Sequence, residues 1–144
     1  MNYRLIAGFL VVLLALLVQF SLGAAGVTVD LVLAALVVLA FFFEWPQLAV
    51  FVLFAAFILN AEPWVSPAIL LFSAIPFAAY AFRLFFTLTP WAGIPVAIFL
   101  GSVLFYSIMA PYMFMSALPL IALDIGGSLV FGELAFAMLR AAER

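Results

Sequence analysis

Apolar residues in this chain fall into long runs, and the polar residues collect in the short gaps between them. The first run, Leu5–Leu22, follows Arg4 and stops at Gly23-Ala24-Ala25-Gly26. Its small Ser21 and Gly23 resemble a signal-peptide cleavage site, but the run is long for such a segment, so it is expected to stay as a helix. A second run covers 27–43 and a third 46–60, parted by Glu44-Trp45-Pro46-Gln47. One helix over 27–60 would be about 50 Å long, well beyond a hydrocarbon core of about 30 Å, so a turn is expected with Pro46 at a helix start. Ser66-Pro67 reads as an N-cap followed by a first-turn proline, opening a fourth run over 67–83 that carries Pro76 at its middle. A fifth run covers 95–110. A Met- and aromatic-rich connection over 112–118 is expected at a membrane interface, and a sixth run covers 119–139.

Composition settles what solvent these runs require. Of 144 residues, 72% are apolar and 7% charged, whereas soluble domains have about a quarter charged residues. The expected fold is therefore all-α: a single polytopic membrane domain, a bundle of six short transmembrane helices. With no Cys and no His, disulfides, thiolate nucleophiles and histidine-ligated metals are excluded. Four arginines and a net charge of −2 leave no basic footprint for nucleic acid. No phosphate-binding loop, nucleophile elbow or zinc-protease string occurs. The expectation is a protein that is not an enzyme and has no cofactor or metal.

The arginines supply an orientation. With six crossings and the N-terminus inside, Arg4, Arg83, Arg140 and Arg144 all fall on the inner side, as the positive-inside rule requires, and both termini are cytoplasmic. Trp45, Trp64 and Trp91 lie in connections, where an aromatic belt is expected.

Acids within the runs need a reason, because a charged side chain at the centre of a spanning helix costs about 2.5–3.5 kcal/mol on insertion scales. Asp30, three residues into the second run, and Asp124, about a turn into the sixth, fall at the outer end together with Glu62. They are either solvated at the interface, with Asp30 also favoured at a helix N-terminus, or parts of a cation or substrate site. Glu133 lies about 10 Å deeper than Arg140 and on the same helical face, with Arg83 as its expected partner. Ala74/Ala78, Ala97/Gly101 and Ser128/Gly132 are small-residue pairs suited to close helix packing, and Gly126-Gly127 is expected to mark a close approach.

The order of these features resembles a known family. The first run ends in Leu17-Val18-Gln19-Phe20-Ser21-Leu22, and after a small-residue loop comes Val27-Thr28-Val29-Asp30-Leu31. This is similar to the start of the rod shape-determining MreD family, in which the second helix opens with Pro-Asp-Leu. Asp30 matches; Val29 departs from the proline. The family's Gly-Leu-x-x-Asp at the third helix corresponds in spacing to Ala56-Phe57-Ile58-Leu59-Asn60, with Ala for Gly and Asn60 for Asp. The resemblance implies a non-catalytic scaffold in the bacterial inner membrane, part of the cell-shape and cell-wall elongation machinery. Its implied partners are MreC and the peptidoglycan synthase complex, with the sixth helix, whose Asp124 and Glu133 fall on opposite faces, and the Asn60 region as contact surfaces.

A reading from another class is the substrate-capture component of an energy-coupling transporter, which suits six short helices and an acidic outer mouth. The Ala-x-x-x-Ala docking pair common in such components is missing from Leu5–Leu22. A lipid-modifying enzyme would need two of Glu133, Arg83 and Asp124 to converge in one cavity.

Overall fold

The computed structural model describes residues 3–26, 29–60 and 66–144. Among them are seven helices: α1 (Tyr3–Ala24), α2 (Leu31–Phe42), α3 (Trp45–Leu59), α4 (Pro67–Phe85), α5 (Pro90–Met109), α6 (Met113–Ser116) and α7 (Leu118–Ala142). Four of these, α1, α4, α5 and α7, are long and apolar enough to cross a membrane. The other two apolar helices, α2 and α3, have 12 and 15 residues and so measure about 18 Å and about 22 Å.

Helix starts follow the local chemistry. Ser66 caps α4, its Oγ accepting the Ile69 N–H at 3.3 Å, and Pro67 occupies the first turn. Pro46 sits in the first turn of α3 in the same way. The fifth helix starts at Pro90 behind Thr89, five residues earlier than the apolar run suggests, and continues through Pro95. The Met-rich connection carries a single helical turn, α6, which makes the count seven rather than six. Asp30 is not inside the second helix. It is the N-cap, with Oδ1 accepting the Leu33 N–H at 3.3 Å.

What organises the molecule is α2. Every residue from Leu31 to Ala40 is buried, because α1, α3, α4, α5 and α7 form a closed ring around it. Each ring helix touches its two ring neighbours and also α2. A helix apolar on all sides has to be covered on all sides, by protein or by lipid, and here the ring helices do it. The hub is thus shielded from its surroundings by protein, and large exposed apolar side chains such as Leu10, Leu17, Leu53, Phe57, Val130 and Leu134 lie on the ring helices.

Contacts across the bundle give the helix directions. Gln19 near the end of α1 reaches Val32 at the start of α2, and Arg4 at the start of α1 reaches Phe42 at the end of α2, so these two are antiparallel. Arg83 in the last turn of α4 reaches Ala40 and Phe43, so α4 runs parallel to α2. Tyr106 of α5 bonds Asp124 of α7, while Trp91 packs on Phe136, so α5 and α7 are antiparallel. Consequently Arg4, Arg83, Arg140 and Arg144 share one end of the bundle, and Asp30 and Asp124 share the other.

Two of the three small-residue pairs are seams. Ala97 and Gly101 are buried, as are Ser128 and Gly132. A Cβ built on Gly132 would run into the tip of the Ile98 side chain, so α5 and α7 pack closely there and a larger residue would force Ile98 to shift. Ala74 and Ala78 are exposed and face outward instead. Gly126 meets nothing within 4 Å, contrary to the close approach expected of the glycine pair; its neighbour Gly127 packs against Val29.

Candidate functional site

The polar groups at the acid end arise from the requirements of the hub. The first N–H groups of a helix have no partners within it, and those of α2 are enclosed by protein. Val32 N–H is taken by Gln19 Oε1 of α1 at 3.0 Å, and Leu33 N–H by Asp30. The Asp30 N–H itself donates to Asp124 Oδ1 of α7 at 2.7 Å. Asp124 is the focus of the cluster. Its Oδ1 also accepts the Ser128 hydroxyl at 3.3 Å, and its Oδ2 accepts the Tyr106 hydroxyl of α5. One carboxylate therefore joins α2, α5 and α7, and only 3% of Asp124 is exposed. Negative charge at a helix N-terminus is favourable, which suits both acids to this position.

Next to the cluster opens a cavity of about 470 Å³, lined by Gln19, Phe20, Val29, Asp30, Tyr106 and Asp124, with Gly23 and Ala24 at its edge. Its lining offers carboxylate, amide and phenol groups, suited to hold a small molecule with several hydrogen-bond donors.

The sequence-derived candidates separate into groups. Asp30 and Asp124 come together, but Asp124 is buried rather than solvated at an interface. Glu62, the third acid proposed for that mouth, and Trp64 lie outside the described residues, as do Val27 and Thr28. Among the described residues there is no group of three potential metal-binding side chains. Asn60 forms the C-cap of α3, its backbone N–H donating to Ala56 O at 2.9 Å.

Arg83 and Glu133 do not pair. Their helices, α4 and α7, make no contact because α2 lies between them. Arg83 instead donates to the carbonyls of Ala40 at 3.1 Å and Phe43 at 3.4 Å, with its guanidinium 5.0 Å from the Tyr80 ring centre. It caps the C-terminus of the hub, where cations are favoured. Glu133 is half-buried on α7 and has neither an ion pair nor a side-chain hydrogen bond among the described residues. Glu133, Arg83 and Asp124 therefore do not converge in one cavity. Tyr106 and Ser128 were not singled out for the site, and Gln19 only as part of a motif. The available signal was a Tyr in an apolar run and a Ser one turn after Asp124.

Comparison with known protein families, with curated proteins and with solved structures finds no match to this chain.

Proposed function

We propose that this chain is a non-catalytic membrane scaffold. In this reading its six longer helices cross the bacterial inner membrane with the arginine end and both termini cytoplasmic. It serves cell-shape and cell-wall elongation, as the resemblance to MreD implies, with MreC and the peptidoglycan synthase complex as partners. The four arginines at one end of the bundle support that orientation through the positive-inside rule. The short α2 and α3 are accommodated because α2 touches no lipid and α3 is backed by three other helices.

The observation that carries the scaffold reading is Glu133. A carboxylate about two turns inside the last spanning helix, with no partner among the described residues, is costly against lipid and is relieved by a donor on another protein. By contrast, the acid cluster spends its hydrogen bonds on holding helices together, which fits a preassembled bundle better than a reacting centre.

The test is a photo-crosslinking residue at Val130 or Leu134, which are 64% and 60% exposed, in native membranes. The expected capture is a membrane protein of the elongation machinery, lost in Glu133→Leu while the purified variant melts like the parent. Capture of an ATPase module instead would overturn the scaffold in favour of a transporter subunit.

That second reading has one observation in its favour, the 470 Å³ cavity with Asp30, Tyr106 and Gln19 in its wall. It predicts that a small cationic or donor-rich solute raises the melting temperature of the purified chain.

A further inference from the structure

The end of the bundle opposite the acid cluster also has a hollow, of about 480 Å³, bordered by residues of α1, α5 and α7 and by the last turn of the hub. Arg4, Arg140, Trp91, Phe136 and Glu143 line it, and an adjoining hollow of about 380 Å³ runs between Trp91, Arg140 and Arg144. We propose that this cleft binds the phosphate group of an anionic phospholipid.

Charge supplies the first reason. Three arginines face the cleft, and its one carboxylate, Glu143, is already taken by Arg4 at 2.5 Å. Arg140 and Arg144 have no carboxylate partner among the described residues. Arg140 lies in the last turn of α7 and Arg144 two residues past its end, where the helix C-terminus also favours cations. Guanidinium groups present paired donors that match phosphate oxygens.

The second reason is the aromatic wall. Trp91, 57% exposed at the start of α5, packs edge-on against Phe136 with ring centres 4.8 Å apart, and Arg140 lies 5.9 Å from that same Phe136 ring. An indole beside guanidinium groups, at the rim of helices apolar enough to span a bilayer, places the cleft at headgroup level. A lipid seated there keeps its phosphate on the arginines while its chains follow the apolar wall that Phe136 and Ala137 begin. A free anion would leave that wall uncovered. Basic pockets between helices at this level are suited to anionic headgroups. The inference needs the chain to be in a bilayer and is otherwise independent of the scaffold reading.

The test uses the purified full chain in vesicles, with Trp45→Phe and Trp64→Phe leaving Trp91 as the reporter. Brominated phosphatidylglycerol, diluted in unlabelled phosphatidylcholine, is expected to quench Trp91 several-fold more than brominated phosphatidylcholine at the same fraction. The combined Arg140→Gln and Arg144→Gln variant should bring the two lipids to nearly equal quenching, since each arginine near the surface adds about a factor of five to the affinity. Lysines at both positions should retain most of it. Equal quenching by the two lipids in the parent chain overturns the proposal, as does a preference that survives both glutamines. If the glutamine variant does not fold, the lipid comparison on the parent chain alone decides. Inorganic phosphate at millimolar concentration should leave the preference intact; if phosphate abolishes it, the cleft reads a free anion and the lipid assignment falls.

Discussion

The two ends of α2 pose the same problem and are answered differently. Each presents backbone groups without intrahelical partners, enclosed by the ring. At the N-terminus the answer is a buried network: Asp124, 3% exposed, ties α2 to α5 and α7, while Gln19 adds α1. At the C-terminus the answer comes from long cations reaching in from the rim. Arg83 bonds Ala40 and Phe43, and Arg4 bonds Phe42 at 3.2 Å while pairing with Glu143. Acids serve the positive end of the helix and arginines the negative end. A buried network is rigid and sensitive to the loss of any member, whereas rim cations are partly replaceable by water.

That contrast sets the order of expected damage. Asp124→Ala should be the most harmful, costing about 3–5 kcal/mol, because the Asp30 N–H and the Tyr106 hydroxyl lose their acceptor inside the bundle and the Ser128 hydroxyl keeps only the Asp30 carbonyl. A large fall in detergent melting temperature checks it, and an unchanged melt would break the network account. Arg83→Ala should cost less, about 1–2 kcal/mol, since the freed carbonyls lie nearer the rim. The double variant should be additive in the same melt, because the two sites lie a hub length of about 18 Å apart. Tyr106→Phe removes one donor from Asp124 and should cost about 1 kcal/mol. Arg4→Gln should be the mildest, under about 1 kcal/mol, because the Arg4–Glu143 pair is well exposed and screened by salt.

Much of the frame was legible along the chain. Ser66-Pro67 and Trp45-Pro46 announce helix starts through capping and proline geometry, and the runs locate the six longer helices. Boundaries slipped where two signals competed. Pro95 reads as a start, yet Thr89-Pro90 does that work and the helix tolerates the later proline. The hub was harder to see. Residues 31–40 are apolar all round, and nothing in the order of residues says whether lipid or protein covers them. The pairing of Arg83 with Glu133 failed for the same reason. Depth and orientation put both toward the inner side, but only the packing shows α2 standing between α4 and α7. Tyr106 and Asp124 are 18 residues apart on antiparallel helices, a proximity that local spacing does not reveal.

The shortness of the enclosed helix has a consequence for biogenesis. A segment of about 18 Å with an acid at its head is poorly matched to a bilayer, because it falls short of a hydrocarbon core of about 30 Å and its ends need partners. In a membrane its burial is complete only once the ring closes around it, and its head gains its last acceptor only when α7 brings in Asp124. Truncation before that last helix should therefore yield a chain that membrane quality-control proteases remove.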